Sequence, residues 1–314
     1  MQHSMQALQL NVLDGTQLAG GIIVPSACGA MAMPIGREHC GACGGHRGCA
    51  GCSRREDPSR RIVTYPQSEI LTGLTFSVID KLGQQMVSLD ITPGIENCPC
   101  CLHSTCFDIC FARTGNYLND NKIDKMRVNS ELVRSPQFVS LACDGLSRYE
   151  GLLAARIFGA GDLHSAECVR KLREIVHEFP KIQFVTNTHA WPIPEIWEEL
   201  QKAKRERNWV IMLSLDRKLI EYYGPPIDDD FPRSWLAKND SDAPLVPVDF
   251  AFRNRGKNNR YLPPMKTLGG YLVCPDQYDS FTKISCTECG ICLLDKEHRN
   301  ARIMELLWAA SRSG

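Results

Sequence analysis

The chain has 314 residues, of which 43% are hydrophobic and 23% charged, an ordinary composition for a globular protein with a sizeable core. Lysine plus arginine and aspartate plus glutamate both total 36, so overall charge draws the protein neither to nucleic acid nor to an anionic membrane. The N-terminus lacks a basic segment before an apolar run, and glycine and proline interrupt the least polar stretch, 18–35. We therefore expect a cytoplasmic protein without a secretory signal or membrane span.

Sixteen cysteines are the most unusual feature of the sequence. Twelve of them fall into three tight runs, and the more distant Cys274 joins the last of these. Close spacing lets several sulfurs converge on one metal site. A disulfide framework is the alternative, but it needs an oxidising compartment, which nothing in the sequence implies. Cys28, Cys143 and Cys168 stand alone and are expected to be packed core thiols.

The first group lies in residues 1–60, which we expect to form a small Cys-rich appendage. Two CxxC pairs separated by five residues, with His39 and His46 among them, are typical of a tetrahedral zinc site, although the spacer is short. A third iron–sulfur cluster is the alternative. The candidate ligands of this N-terminal group are Cys40, Cys43, Cys49 and Cys52.

From about residue 85, strand-like and helix-like segments alternate, which favours parallel βαβ units. We expect residues 61–260 to form an α/β core resembling a (β/α) barrel, and 261–314 to form a C-terminal metal-binding segment with a helix. Strands are predicted at 86–92, 152–158, 182–187, 209–216, 246–252 and 270–274, and helices at 122–146, 165–179 and 194–207. The strand order in 217–270, which is rich in Pro, Asp and Asn, cannot be read.

The second group directly follows the strand at 86–92, in the segment CPCCLHSTCFDIC. In parallel α/β folds the carboxyl ends of the strands form the active face, so a thiolate cluster is expected where a cofactor binds. Zinc is the alternative, but zinc sites usually pair two CxxC halves and this loop has none. The members of this loop group are Cys98, Cys100, Cys101, Cys106 and Cys110.

The third group combines a remote cysteine with the triplet CTECGIC. Four thiolates of which three form a CxxCxxC run are typical of [4Fe–4S] sites, and zinc is again the alternative. The members of this C-terminal group are Cys274, Cys286, Cys289 and Cys292.

The order of strand ends resembles that of radical S-adenosylmethionine (SAM) enzymes. A cysteine loop follows the first strand, and later strands end in Gly159-Ala160-Gly161-Asp162, Thr186-Asn187 and Ser214-Leu215-Asp216. The resemblance implies a partial (β/α) barrel, a [4Fe–4S] cluster with one open iron, and SAM bound at the strand ends. The cofactor-binding residues that it implies are Gly159, Gly161, Asp162, Asn187, Ser214 and Asp216.

Residues 90–298 also resemble the phage- and plasmid-borne "gene product eighty-eight" family, whose function is poorly defined. The resemblance rests on Cys98-Pro99, on Cys106-x3-Cys110 followed by Phe111-Ala112, on Gly161-Asp162, and on Cys274-Pro275 with CTECGIC.

The loop departs from the usual CxxxCxxC motif of radical SAM enzymes. Arg113 stands where the third cysteine is expected, so the third ligand must be Cys98 or, alternatively, Cys100 or Cys101. Asp162 replaces the usual Glu. A tight turn at 159–162 and strand-end caps elsewhere are the structural alternative to SAM binding.

The sequence predicts an iron–sulfur enzyme with two clusters, or three, which acts with SAM and a reductant protein on an unidentified substrate. His164, His189 and Trp191 are candidates to face the pocket. The alternative is a non-enzymatic, metal-stapled protein of a mobile element that takes part in nucleic-acid processing, with the basic segment 253–260 as a phosphate contact.

Overall fold

A computed structural model describes residues 24–25, 31–32, 74–79, 85–228, 230–253, 267–277, 286–294 and 296–312. The zinc or cluster site expected at Cys40, Cys43, Cys49 and Cys52 lies outside these residues, as does nearly all of the expected appendage at 1–60. The loop and C-terminal groups lie within them.

The core is one seven-stranded sheet in which the strands follow each other in sequence order. The first strand is antiparallel to the second, and all later neighbours are parallel. Two short hairpins, β1 (Val24–Pro25) with β2 (Met31–Ala32) and β10 (Thr267–Leu268) with β11 (Tyr271–Leu272), complete the described strands. The sheet strands are β3 (Ser77–Ile79), β4 (Met86–Leu89), β5 (Ala154–Ile157), β6 (Gln183–Thr188), β7 (Trp209–Leu215), β8 (Arg233–Ala237) and β9 (Phe250–Arg253).

The expected α/β class with mainly parallel strands is confirmed. Sequential parallel strands joined by right-handed crossovers place their connecting helices on one face of the sheet. Among the described residues the edge strands β3 and β9 do not pair, so the sheet closes no barrel.

Eight α-helices are described, none of them long and apolar enough to cross a membrane. Helices α4 and α5 pack against each other. The helices are α1 (Thr105–Ile109), α2 (Asp120–Arg134), α3 (Phe138–Leu146), α4 (Ala166–Glu178), α5 (Pro194–Ala203), α6 (Arg217–Tyr223), α7 (Cys286–Cys289) and α8 (Lys296–Arg312).

The helix predicted at 122–146 is in fact two helices, α2 and α3. Proline has no N–H and disfavours helical backbone in the residue before it, so Pro136 ends the first helix. Ser135 accordingly has an extended conformation, with ψ 154°. The predicted helix at 165–179 matches α4, whose N-cap Ser165 accepts a hydrogen bond from the Cys168 N–H.

The sheet has an apolar helix face and a mixed opposite face. Val87, Ala155 and Trp209 belong to the main core. Because side chains alternate along a strand, residues two apart share a face. On the opposite face the amino-terminal halves of the strands carry the small apolar cluster of Met86, Ala154, Val185 and Val210, against which Cys292 and Leu293 pack.

Toward the carboxyl ends of the strands, the same opposite face is polar. We call this surface the polar face. The register of the sheet places neighbouring polar residues there, where sequence reasoning expected ligand contacts. Its members are Ser88, Asp90, Arg156, Asn187 and Ser214.

Sequence patterns missed β8 and misplaced β9. Strand β8 has the sequence RSWLA. Its first two residues, Arg233 and Ser234, are polar and yet buried, so the strand shows no alternation of apolar and polar residues. The Arg233 guanidinium donates to the carbonyls of Pro226 and Asp228 in the preceding loop. Strand β9 begins at Phe250 rather than near 246.

Candidate metal centre and its pocket

Four thiols of the loop group line one pocket at the carboxyl ends of β4, β5 and β6. Gly161 and Asp162 after β5 and His189 after β6 line the same pocket, as does Arg113. The pocket thiols, as we call them, are Cys98, Cys101, Cys106 and Cys110. The structure therefore brings together four of the metal ligands and two of the cofactor residues that the sequence predicted.

Cys100 does not line the pocket. It is 1% exposed. Burial raises the pKa of Cys100 to about 12, so this thiol stays protonated at neutral pH. Of the three upstream cysteines, Cys98 and Cys101 are therefore the ones placed to act as a third ligand.

The loop is fixed to the sheet through Asp216, which follows β7. Its carboxylate accepts hydrogen bonds from the Ser104 hydroxyl and, at 2.9 Å, from the Thr105 N–H. The same side chain is the N-cap of α6 and accepts from the Leu219 N–H at 3.1 Å. Asp216 is fully buried, so each of these bonds is shielded from water.

Ser104 also caps α1, since its hydroxyl accepts from the Cys106 N–H at 3.0 Å. Sequence reasoning missed the roles of Ser104 and Thr105. The signal was a Ser directly before a short helical stretch, which is a common N-cap pattern.

The thiols perturb one another. Cys110 has its pKa lowered to about 7, first by a hydrogen bond from Cys106 and also by Arg113 nearby. The pKa of Cys98 is raised by burial and by the negative charge of Asp162. Cys110 is therefore the pocket thiol that ionises most readily, and a thiolate is the form that binds metal.

In the part of the chain that the structure describes, no three His, Cys, Asp or Glu side chains lie close enough together to hold a single metal ion. The pocket thiols nevertheless all line the same cavity.

Asp162 and His189 lie next to each other in the lining of the pocket. Asp162 accepts hydrogen bonds from the Thr188 hydroxyl at 2.6 Å, the His189 N–H at 2.9 Å and its neighbour Leu163 N–H at 2.7 Å. Burial raises its pKa despite these bonds. The imidazole of His189 lies between two carboxylates, with Nδ1 3.9 Å from Asp162 and Nε2 4.0 Å from Asp216. That Nε2 is buried without a hydrogen-bond partner.

The two predicted glycines serve the packing of strand ends. Gly161 has φ +87°, and a Cβ on it would lie 2.2 Å from Cγ1 of Ile91. A Cβ on Gly159 would lie 2.6 Å from Asp90 Oδ1. Phe158 just before them has φ 55°, which is strained for a bulky residue. The 158–161 turn therefore lets the backbone pass closely over β4.

The other residues that were predicted to bind cofactor or to face the pocket do not line it. Asn187 and Ser214 lie on the polar face, and the Asn187 Oδ1 is buried without a partner. Trp191 is in the core and donates from Nε1 to the Ser214 carbonyl at 3.2 Å. His164 does not line the pocket, and burial together with Arg134 lowers its pKa to about 4.

Of the lone cysteines, Cys168 is buried in the core and Cys143 packs against it, whereas Cys28 lies outside the described residues. In the basic segment 253–260, the Arg253 guanidinium is paired with Asp240 at 2.6 Å. Residues 254–260 lie outside the described part.

The C-terminal group forms a second concentration of thiols. Burial raises the pKa of Cys292 to about 11, and the charges of Cys289 and Cys286 contribute. Helix α7, which begins at Cys286 and ends at Cys289, contacts the 275–277 turn that follows Cys274. Arg299 donates to the Ile291 carbonyl at 3.1 Å, and Arg302 to the Cys289 carbonyl at 3.3 Å.

Comparison with known proteins gives one result. No curated protein and no solved structure matches the chain. Residues 63–294 match the family described as Gene product 88, and this span includes the whole sheet, the pocket thiols and the C-terminal group. Because the match covers well over half of the sequence, the chain belongs to the Gene product 88 family.

Proposed function

We propose that the protein is an iron–sulfur enzyme of radical SAM type, with a [4Fe–4S] cluster at the pocket thiols. The convergence of these thiols with Asp162 and His189 at the carboxyl ends of parallel strands carries the proposal. Six parallel strands in sequence order also suit the partial barrel of such enzymes. When bound and reduced by a partner protein, the cluster would supply the electron for reductive cleavage of SAM.

A cluster and a single zinc ion make different geometric demands on the thiols. A single zinc ion needs sulfurs only about 4 Å apart, since each Zn–S bond is about 2.3 Å long. A cluster binds each cysteine at a different iron and so accepts thiols spread around a larger space. The four thiols that line the pocket could ligate either, so metal analysis must decide between them.

The ligand set would be Cys106, Cys110 and Cys98, with Cys101 as the competing third ligand. Arg113 occupies the sequence position of the missing motif cysteine, and its guanidinium donates to the Phe107 carbonyl at 2.7 Å. Its positive charge would stabilise thiolates in a site without a third motif cysteine.

Asp162 is the residue best placed to bind the ammonium group of SAM. A carboxylate can accept about four hydrogen bonds, and three are already taken by Thr188, His189 and Leu163. One acceptor position therefore remains for a ligand. Gly161 beside it has no side chain to block the pocket.

The other residues predicted to bind cofactor would have different roles. Asn187 and Ser214 lie on the adjoining polar face and would contact other parts of the cofactor or substrate. Asp216 is occupied by Ser104, Thr105 and Leu219, so it would position the loop rather than touch SAM. The C-terminal group would hold an auxiliary [4Fe–4S] cluster.

A non-enzymatic, metal-stapled protein acting in nucleic-acid processing is the second candidate. The presence of four thiols around the pocket favours it, because four cysteines can close a cluster and leave no iron free for SAM. The number of ligating pocket thiols therefore separates the two functions.

The deciding experiment is anaerobic purification followed by analysis of iron, sulfide and zinc, with electron paramagnetic resonance of the reduced protein. We expect a brown protein whose spectrum changes when SAM is added. Cys98→Ser should remove this cluster and Cys101→Ser should leave it responsive to SAM. Cys143→Ser, which changes a thiol in α3 far from both groups in sequence, is the control and should change neither signal.

A colourless protein that carries only zinc would refute the iron–sulfur proposal. If Cys98→Ser and Cys101→Ser each abolished the cluster, and SAM left the wild-type spectrum unchanged, the closed four-thiol site and the second candidate would be supported.

A further inference from the structure

Arg156 lies on the polar face without a charged partner. Its side chain is partly buried, yet it has no ion pair or side-chain hydrogen bond in the part of the chain that the structure describes. Arginine is rarely buried unless it is paired. A guanidinium held in this state within a sheet face is suited to a ligand that brings the opposite charge.

The guanidinium points toward the carboxyl ends of the strands. Its Nε lies 3.3 Å from where a Cβ on Gly159, three residues later, would stand. Its charge lowers the pKa of Tyr117, although burial raises that pKa overall, and it opposes the burial-driven rise at Cys292. Tyr117 is also affected by Cys110. Arg156 therefore lies close enough to Tyr117 and to Cys292 to influence both.

Asp90, which also borders Gly159, is an acid already neutralised by another residue. Asp90 forms an ion pair with Lys122 and accepts hydrogen bonds from the Ser88 hydroxyl at 2.7 Å and the Ala160 N–H at 3.0 Å. Lys122 thus balances the Asp90 charge, and the positive charge of Arg156 remains in excess on this surface.

Asn187 is a second residue on the same surface whose side chain is suited to a ligand. Arg156 pairs with Val185 in the sheet register, so Asn187 is one step nearer the carboxyl end on the same face. Its Oδ1 is buried and has no hydrogen-bond donor among the residues that the structure describes. Such an orphaned acceptor is costly unless a ligand or water donates to it.

We propose that the polar face binds a small anionic molecule, with its carboxylate or phosphate group on Arg156 and an adjacent N–H or O–H donating to Asn187. This names the substrate class of the proposed enzyme. Calling the ligand a substrate rests on that proposed function, whereas its binding to Arg156 does not depend on a cluster.

The test is chemical modification of the full-length anaerobic protein with phenylglyoxal, which attacks arginine, followed by peptide mass spectrometry. The probes are inorganic phosphate and acetate, each with chloride at equal ionic strength as reference. Arg148 is exposed and also lacks an ion pair, so it is an internal control in every sample. At about ten times its dissociation constant, a bound anion should slow Arg156 modification about tenfold and leave Arg148 unaffected.

Protection by phosphate alone would identify a phosphate ester as ligand, and protection by acetate alone a carboxylate. The thermal midpoint should rise with the protecting anion in wild type and in Arg148→Gln. It should not rise in Arg156→Gln, and it should rise less in Arg156→Lys, which keeps the charge but loses the two-pronged contact. Equal reactivity of Arg156 with phosphate, acetate and chloride would overturn the proposal.

Discussion

The two described cysteine groups are held in place by different chemistry. The loop group is fixed by a buried carboxylate, Asp216, that binds the loop and caps a helix. The C-terminal group is fixed by arginines, Arg299 and Arg302, that donate to backbone carbonyls. The first borders a pocket with an acid and a histidine, and the second packs with Cys292 against an apolar cluster.

This difference suggests different roles on one sheet. A pocket with unmet hydrogen-bonding groups is suited to binding and chemistry, whereas thiols covering apolar strand segments contribute to packing as well as to ligation. Each group should therefore respond to substitutions at its own anchor and remain insensitive to substitutions at the other.

The largest expected effect comes from the two anchors. Asp216→Ala should reduce the free energy of unfolding by about 4 kcal/mol, because it leaves the buried donors of Ser104 and Thr105 unpaired. It should also impair the pocket site and spare the C-terminal one. Arg299→Met should impair the C-terminal site and spare the pocket site, and it should reduce the free energy of unfolding by about 2–3 kcal/mol. Urea unfolding and the spectra of the two sites check both.

Asp230→Ala is the matched control, since the Asp230 side chain is 75% exposed and should cost at most about 0.5 kcal/mol. If either anchor substitution abolished both sites in protein that remains folded, the two groups would form one centre. The claim that each group depends on its own anchor would then be wrong.

A smaller effect is expected at the pocket turn. Gly161→Ala should cost about 3 kcal/mol, because the new methyl would overlap Ile91 and the backbone has a positive φ. Gly224→Ala is the control, since φ is +79° there but nothing lies within 4 Å of the added Cβ. It should cost about 1–2 kcal/mol, from backbone strain alone. Equal thermal midpoints for the two variants would mean that the strand ends are not closely packed at the pocket.

The smallest expected effect is a pH dependence of stability that comes from His164, two residues after Asp162 of the pocket. His164 has its pKa lowered to about 4 in the fold, against about 6.5 when unfolded, so the unfolded chain binds the extra proton first. Stability should fall by about 1 kcal/mol, after allowance for solvent screening, as the pH drops from about 6.5 to about 4. His164→Gln should flatten this part of the stability curve.

His177→Gln in α4, the helix that follows His164, is the control, because the His177 side chain is 83% exposed. The arginine anchors of the C-terminal group keep their charge over this range, so its spectrum should be the less sensitive to pH. If the slope of stability against pH were unchanged in His164→Gln, His164 would not be the source of the pH dependence.

Periodicity and turn residues were enough to predict much of the fold. The strands β4 to β7 and the helices α4 and α5 have clear apolar patterns, and the sequence located them within a few residues. It also identified the four cysteines that line the pocket and placed them after a strand. These features depend on local sequence, which pattern rules describe well.

The missed features depend on distant contacts. Strand β8 buries Arg233 because a preceding loop supplies carbonyls to its guanidinium, and no local pattern reveals that. Asp216 was expected to bind cofactor, yet its partners include Ser104 and Thr105, more than a hundred residues away. Arg156 was overlooked because an unpaired charge is recognisable only after its neighbours are known.

The bond from Ser104 to Asp216 also sets an order of events during synthesis. The two residues are 112 positions apart, so the ribosome must release β5, β6 and β7 before the cysteine loop can reach its anchor. Such long-range contacts form late in folding because closing the intervening chain costs entropy. The nascent thiols should therefore stay open to metal-delivery proteins and to oxidants until most of the sheet has been made.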